Sequence, residues 1–537
     1  MLAVIALCVT TRAGAASSLT SRILIDPAGE HTGDVFGGSV AWIGDVNGDG
    51  YDDLLVGAFR YPEIASVGQA YLYFGGPAMD AVADLVITPP AGGSGWFGVS
   101  VAPAGDFNGD GHPDFIIGAQ QAGNEGKAFI YYGGPSLDAT PDVTLTGEST
   151  GQLTAFGASV ASAADVNGDG YGDVIVGAPW YPGGNNKPGR AYVFFGGAAP
   201  DAVADRVFTG VGFYDQLGTV VGSAGDLNGD GHPDLFASAP NNDTAALNAG
   251  LIDVWFGGPA FDTTPDLTLF GSGVNESLMN AASAGDVNAD GFSDLIGAGR
   301  TQARVWFGGS SPNAVSDLTL TKSYASVAGA GDVNGDGIDD FVVGTTNDLS
   351  GGSGRMSLYF GGSAVDTVED LFYVGDPSGG AIGLGVAGGG HVDGAGPADV
   401  ITSAYFDPEA IGYNMGRVYV IANSNTPDTC PVQPAVPPPA VNGSVRLLAG
   451  GPGTTITWTD APGPWNVYRG TRSGGSPWAW NQTCHDSRLA APGTTDAETP
   501  AVGAMYFYLV TRVDACGESI PGQDSAGQPN PNPSPCP

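Results

Sequence analysis

The sequence predicts an all-β protein, a seven-bladed β-propeller followed by a small β-sandwich-like domain. Three observations carry that prediction. The pattern Asp-x-Asn-x-Asp-Gly-x-x-Asp begins at Asp45, Asp106, Asp165, Asp226, Asp286 and Asp332, with starts 61, 59, 61, 60 and 46 residues apart. A degraded seventh copy begins at His391, 59 residues further on, and copies at a fixed period mark a repeat architecture. Each copy also sits among short apolar or small-residue runs punctuated by Gly, Pro and Asn, while no segment sustains a helical period.

Each repeat reads as four short strands. Before the Asp loop stands Phe-Gly or a relative (Phe36-Gly37, Phe97-Gly98, Phe156-Gly157, Leu217-Gly218) and a small-residue strand. After the loop comes an apolar run such as Leu54–Ala58 or Val174–Ala178. A variable loop leads to an aromatic strand ending in Gly-Gly, as in Ala70–Phe74 and Ala191–Phe195. The last strand is introduced by Asp84, Asp142, Asp205, Asp266, Asp317 or Asp370. Four-stranded units repeated seven times fit blades stacked around an axis. The seventh copy lacks its Asp-led outer strand, and Ser21–Asp26 resembles that strand, so the N-terminal segment is expected to complete the last blade and cover two bare edges.

The propeller is placed at residues 21–422. Residues 1–15 read as an export signal, with the apolar run Leu2–Val9 and Ala13-Gly14-Ala15 as a small-residue cleavage site but no basic n-region. Residues 423–442 form a Pro-rich linker, 443–522 a second β domain and 523–537 a Pro-rich tail. Of the five cysteines, Cys8 falls in the signal, and Cys430, Cys484, Cys516 and Cys536 lie in the last fifth, which in an exported chain points to two disulfides. Their connectivity is open from sequence; Cys484–Cys516 with Cys430–Cys536 is the favoured pairing.

A formal net charge of −39, with only 17 Lys and Arg, argues against nucleic acid or anionic lipid as partner, and no later apolar run is long enough to span a membrane. The acidity has a local source, since positions 1, 5 and 9 of the six loops hold 18 of the 56 carboxylates. In such a loop, side chains at positions 1, 3, 5 and 9 and the carbonyl of position 7 can converge on one cation, with Gly at position 6 making the turn. The candidate ligands are Asp45, Asn47, Asp49, Asp53 and the Tyr51 carbonyl; Asp106, Asn108, Asp110, Asp114 and the His112 carbonyl; Asp165, Asn167, Asp169, Asp173 and the Tyr171 carbonyl. In the later copies they are Asp226, Asn228, Asp230, Asp234 and the His232 carbonyl; Asp286, Asn288, Asp290, Asp294 and the Phe292 carbonyl; Asp332, Asn334, Asp336, Asp340 and the Ile338 carbonyl. All are hard oxygens, which favours Ca2+ over zinc or copper. Six filled sites would reduce the charge to about −27. An EF-hand is excluded because position 12 of the first loop is Val56. In the seventh copy, positions 1, 3, 5 and 9 are His391, Asp393, Ala395 and Asp399, so six sites are expected rather than seven.

These motifs resemble the FG-GAP repeat family, whose best-known members form the propeller of integrin α subunits. The resemblance covers about residues 21–422, including the Val-Gly-Ala-Pro run Val176–Pro179. It implies a calcium-stabilised extracellular propeller used for adhesion or ligand binding. The chain departs from integrins in having six loops rather than a few, with no inserted I-type domain and no long stalk. In the C-terminal domain, Ile456-Thr457-Trp458, Tyr468-Arg469-Gly470 and Tyr506–Val510 are similar to fibronectin type III-like modules. Trp458, Trp465, Trp478 and Trp480 could form a carbohydrate platform, but filling a small core is the favoured role.

No nucleophile elbow, zinc-protease helix or phosphate loop is present. The expectation is a secreted or surface-displayed, non-catalytic binding protein for an unknown extracellular protein or glycan. Its contact face would be formed by loops such as Arg60–Gly68, Trp180–Lys187 and Pro240–Ala249. The alternative is a secreted polysaccharide-degrading glycosidase or lyase on a propeller scaffold, which needs only a pair of carboxylates. Sequons stand at Asn242, Asn275, Asn442 and Asn481.

Overall fold

In a computed structural model, the described residues are 6–9, 20–25, 27–29, 33–61, 67–77, 79–182, 186–321, 326–345, 354–374, 382–394, 396–404 and 416–424, with backbone strands alone between 446 and 518. Residues 3–425 form one compact unit. It contains seven antiparallel sheets, the first five of them four-strand meanders in chain order. Blades one to six run over residues 36–87, 97–146, 159–209, 221–270, 280–320 and 326–374. Blade seven takes its first three strands from residues 382–424 and its fourth from Thr20–Ile25, which pairs antiparallel with Arg417–Ser424 from Thr20↔Ser424 to Ile25↔Val420. The N-terminal strand thus closes the ring, as its likeness to the outer strands predicts. The first strands touch in cyclic order, blade seven against blade one, and so line the axis.

The run read as the core of an export signal supplies Ala6–Val9 as a fifth strand on blade six, antiparallel to Leu371–Val374. The rest of that expected signal (residues 1–5 and 10–15), the linker from residue 425 and the tail lie outside the described residues, as do the side chains of Cys430, Cys484, Cys516 and Cys536. In the C-terminal unit (residues 426–537 with Met1–Leu2), one sheet joins Arg446–Ala449, Thr454–Thr457 and Gly493–Asp496. Another orders Thr483–Leu489, Trp465–Ser473, Ala504–Asp514 and Gly517–Glu518.

The apolar core is divided into seven clusters, each shared by two successive blades. Phe-Gly and the Gly of the second strand are what let the blades approach. Phe97 is fully buried at the blade one–two junction and its backbone forms a parallel bridge with Gly68; Gly126↔Phe156, Gly189↔Leu217, Gly250↔Leu278 and Gly354↔Ile382 repeat the contact. A Cβ on Gly57 would lie 2.1 Å from the carbonyl oxygen of Gly98, so two backbones meet where a side chain would stand. Residues just before the wedge, Val35, Trp96, Ala155, Gln216 and Ser277, take positive φ of 52° to 60° without being glycine. That costs about 1 kcal/mol or more each, and at Trp96, Ala155, Gln216 and Ser277 it is held by the bridge of the residue that follows. Serines on the first strands add cross-blade hydrogen bonds: Ser39 Oγ donates to Gly98 O (2.9 Å) and Val160 N–H donates to Ser100 Oγ (3.0 Å).

The blade four–five junction holds a buried ion pair between Arg304 and Glu276. Ser272 braces it, its backbone N–H donating to Glu276 Oε2 (2.6 Å) while its Oγ accepts from Arg304 Nη2 (2.8 Å) and Gln302 Nε2 (2.7 Å). Glu276→Ala should therefore lower unfolding free energy by about 3–5 kcal/mol in urea denaturation, because it strands a buried guanidinium. Glu276→Leu with Arg304→Met should recover most of that loss; a single-variant loss under about 1 kcal/mol would refute this.

Candidate cation loops and the opposite loop face

Each Asp loop joins the first and second strands of its blade, so all six lie at one end of the propeller with the third-to-fourth-strand turns. The second-to-third-strand loops and the blade-to-blade connections lie at the other end. In the first loop Asp45 Oδ1 accepts the N–H of Gly48 (2.7 Å) and Asp49 (2.9 Å), and Oδ2 that of Gly50 (2.7 Å). Asn47 Oδ1 accepts Asp49 N–H (2.8 Å), Asn47 Nδ2 donates to Asp49 Oδ2 (2.9 Å), and Asp49 Oδ1 accepts Tyr51 N–H (3.1 Å). Positions 1, 3 and 5 are thereby gathered over one turn. Gly50 at position 6 has φ +94° with nothing within 4 Å of a would-be Cβ, so conformation alone demands glycine there. The position 7 side chain packs against the preceding blade: a Cβ on Gly109 would sit 2.3 Å from the ring of Tyr171.

Position 9 differs from the other three. Asp53 is fully buried and both oxygens accept backbone amides, Oδ2 from Val46 (3.0 Å) and Oδ1 from Gly75 (2.8 Å), the first glycine of the Gly-Gly pair. Asp114, Asp173, Asp234, Asp294 and Asp340 repeat both bonds. Burial pushes these carboxyls up to about 7, and Asp340 to about 8, against the pull of the same amide bonds. The second glycine reaches the neighbouring blade: Gly134 N–H donates to the carbonyl of Val46 (2.7 Å), Gly197 to Phe107 (2.8 Å), and Gly258, Gly309, Gly362 and Gly76 to Val166, Leu227, Val287 and Val392. The structural half of this role was missed in sequence. The signal was Asp399, kept in the degraded seventh loop, where it still accepts the N–H of Val392 (3.0 Å).

Among the described residues no three His, Cys, Asp or Glu side chains form a ready-made metal cage. Backbone amides wrap the position 1 carboxylates and engage those at position 9. The donor set nonetheless fits a hard cation. The described ion pairs are Arg190–Glu148, Arg304–Glu276, Arg355–Glu369 and the 3.8 Å contact of His391 with Asp52, and none neutralises a carboxylate at positions 1, 5 or 9. In the fifth loop the position 3 oxygen, Asn288 Oδ1, is buried without a hydrogen-bond partner. Each accepting oxygen retains lone-pair capacity, so Asp, Asn, Asp and Asp could supply four ligands per loop.

The opposite end concentrates exposed apolar side chains over blades three to five. Val211 is 95% exposed, Phe213 68%, Val274 65% and Leu247 57%, with Tyr214 and Met279 partly exposed beside them in sequence. Their loops are tied together: Asn275 N–H donates to Leu247 O (2.7 Å), Asn248 Nδ2 to Asn275 Oδ1 (2.9 Å), and Asn241 Nδ2 to Gln216 Oε1 (2.7 Å). This is where Pro240–Ala249, expected as a contact loop, comes to lie. Residues 62–66 and 183–185 of the other two loops are outside the described residues. Asn242 is buried and donates to Asp215 Oδ2 (3.0 Å), whereas Asn275 is exposed.

The FG-GAP repeat model matches residues 36–73, 97–131, 156–194 and 217–255, which are the first three strands of blades one to four with the loop between. The chain carries FG-GAP repeats. The chain is 38% identical over 168 residues to integrin alpha-5 of Xenopus laevis, covering 29% of this chain and 16% of that protein. It is 36% identical over 176 residues to human integrin alpha-7, covering 32% and 14%. Over 171 residues it is 36% identical to the phosphatidylinositol-glycan-specific phospholipase D of Bos taurus, covering 29% and 20%. The match therefore spans a fifth or less of each of these relatives. In the fifth blade Leu278-Met279 replaces Phe-Gly, yet Leu278 keeps the wedge position and its bridge.

Proposed function

We propose that this FG-GAP propeller is a secreted or surface-displayed, calcium-stabilised binding protein without catalytic activity of its own. Its contact face is the loop end of blades three to five. The observation that carries this reading is the cluster of exposed apolar side chains on mutually hydrogen-bonded loops, at the end away from the Asp loops. Large exposed apolar patches mark interaction sites, and tied loops lose little entropy on docking. The integrin relatives support an extracellular protein or glycan as ligand. On this reading the N-terminal apolar run is an export signal, whose cleavage would leave blade six with four strands like the others.

The competing reading is a secreted polysaccharide-degrading enzyme, and the phospholipase relative keeps hydrolysis in view. The seven strands lining the axis weigh against it, since they carry no Asp, Glu, His, Lys or Arg. Surface plasmon resonance over extracellular matrix proteins, a glycan array and turnover assays on polysaccharides and glycosyl-phosphatidylinositol would separate the readings. Binding without turnover is expected, weakened at least about tenfold in Phe213→Asp/Val211→Asp at unchanged melting temperature. Turnover by the purified chain would sink the non-catalytic reading, and undiminished binding by the variant would sink the proposed face.

A further inference from the structure

The Gly-Gly pairs link the Asp loops into one hydrogen-bonded relay. In each of blades one to six the first glycine amide goes to the position 9 carboxylate of its own loop, at 2.8 to 2.9 Å. The second glycine amide goes to the position 2 carbonyl of the preceding blade's loop, at 2.7 to 2.8 Å. The N–H of that same position 2 residue donates to its own position 9 carboxylate, at 2.9 to 3.0 Å. Carboxylate, Gly-Gly peptide, position 2 peptide and next carboxylate thus alternate from blade six down to blade one, and through Gly76 and Val392 to Asp399 in blade seven. No Gly-Gly follows the third strand of blade seven, so the relay is open between blades seven and six. Direct bonds reinforce it: Gly172 N–H donates to Asp106 O (2.9 Å) and Ser293 N–H to Asp226 O (3.0 Å), each from position 8 of one loop to position 1 of the loop before.

We propose that the six loops take up cations cooperatively, each filled loop ordering the peptides on which its neighbours' position 9 carboxylates depend. This rests on the calcium reading above. A cation that takes a position 9 carboxylate as ligand fixes the two amides already bonded to it. One belongs to the position 2 residue, whose carbonyl holds the next blade's Gly-Gly; the other belongs to this blade's Gly-Gly, whose second amide holds the preceding loop. Ordering one loop therefore lowers the ordering cost of the loops on either side, which is coupling without a large structural change. The retention of Asp399 follows from the same logic: the seventh loop has lost carboxylates at positions 1 and 5 but remains the terminus of the relay.

The test uses the full chain and calcium itself. Titration calorimetry of the wild type should give a Hill coefficient above one, and hydrogen–deuterium exchange against calcium concentration should resolve protection loop by loop. Asp169→Asn removes a candidate ligand at position 5 of the third loop, a residue outside the Gly-Gly relay. It should weaken protection of 106–114 and 226–234 by at least about fivefold in calcium concentration, while 332–340 stays unchanged. Non-cooperative wild-type uptake, or an effect confined to 165–173, would overturn the coupling and leave the calcium reading standing. No uptake at any loop would overturn both.

Discussion

Excess EDTA is expected to lower the melting temperature of the intact chain by about 10 to 20 °C, and calcium in excess of the chelator to restore it. The magnitude follows from counting sites. A ligand at a hundred times its dissociation constant stabilises the folded state by about 2.7 kcal/mol per site, so six loops together contribute on the order of 15 kcal/mol. A chain of this size converts that into a shift of roughly a degree or slightly more per kcal/mol. The residues make the dependence steep. Each loop gathers three carboxylates with no Lys or Arg ion pair among the described residues, and the position 9 group is buried with its pKa pushed to about 7 or 8. Magnesium should restore less of the shift, since it demands near-octahedral geometry and dehydrates reluctantly. Added sodium chloride should recover part of the chelated protein's stability by screening the repulsion. A shift below about 2 °C with calcium demonstrably removed would refute a structural role for the cation.

The architecture was legible because it is written seven times. Periodicity located every Asp loop, turn chemistry placed glycine at position 6, and the likeness of Ser21–Asp26 to the outer strands anticipated the closing pair with Arg417–Ser424. What was illegible depends on which amide faces which oxygen across blades. The sequence marks Asp53 and its equivalents only as cation ligands, because nothing in one repeat shows that Gly75 and Val46 donate to the same carboxylate. The pairing of Ala6–Val9 with blade six was hidden for another reason. A short apolar run has the same composition as a signal core and as an edge strand, and composition alone does not separate them. The apolar cluster of Val211, Phe213, Leu247 and Val274 comes from three separate connections, each unremarkable in sequence, that adjacent blades bring to one end.

Gly177→Val is expected to lower unfolding free energy by about 3–5 kcal/mol or to prevent folding outright, read from the urea midpoint and from soluble yield. An ideal Cβ on Gly177 would lie 2.0 Å from the carbonyl oxygen of Gly218 and 2.9 Å from its carbon, both atoms of the next blade's backbone. No rotamer relieves such a contact, so blades three and four must part and expose the shared cluster of Val193, Phe208, Leu217, Leu235 and Trp255. The same geometry recurs at Gly57, Gly118 and Gly344, where the facing oxygens of Gly98, Gly157 and Gly383 would lie 2.1 to 2.2 Å away, so valine there should be equally damaging. Blades four and seven show the limit of tolerance. Ser238 and Ser403 occupy this position, each Oγ accepting a backbone amide, from Val220 (3.0 Å) and Gly385 (2.9 Å). Gly177→Ser should therefore cost less than valine. Gly50→Ala meets no neighbour and violates only its positive φ, so its loss should be confined to about 1 kcal/mol. The order valine at 177, serine at 177, alanine at 50 separates steric from conformational demand. A Gly177→Val variant within about 1 kcal/mol of wild type would refute the close approach of backbones as the reason for the glycine.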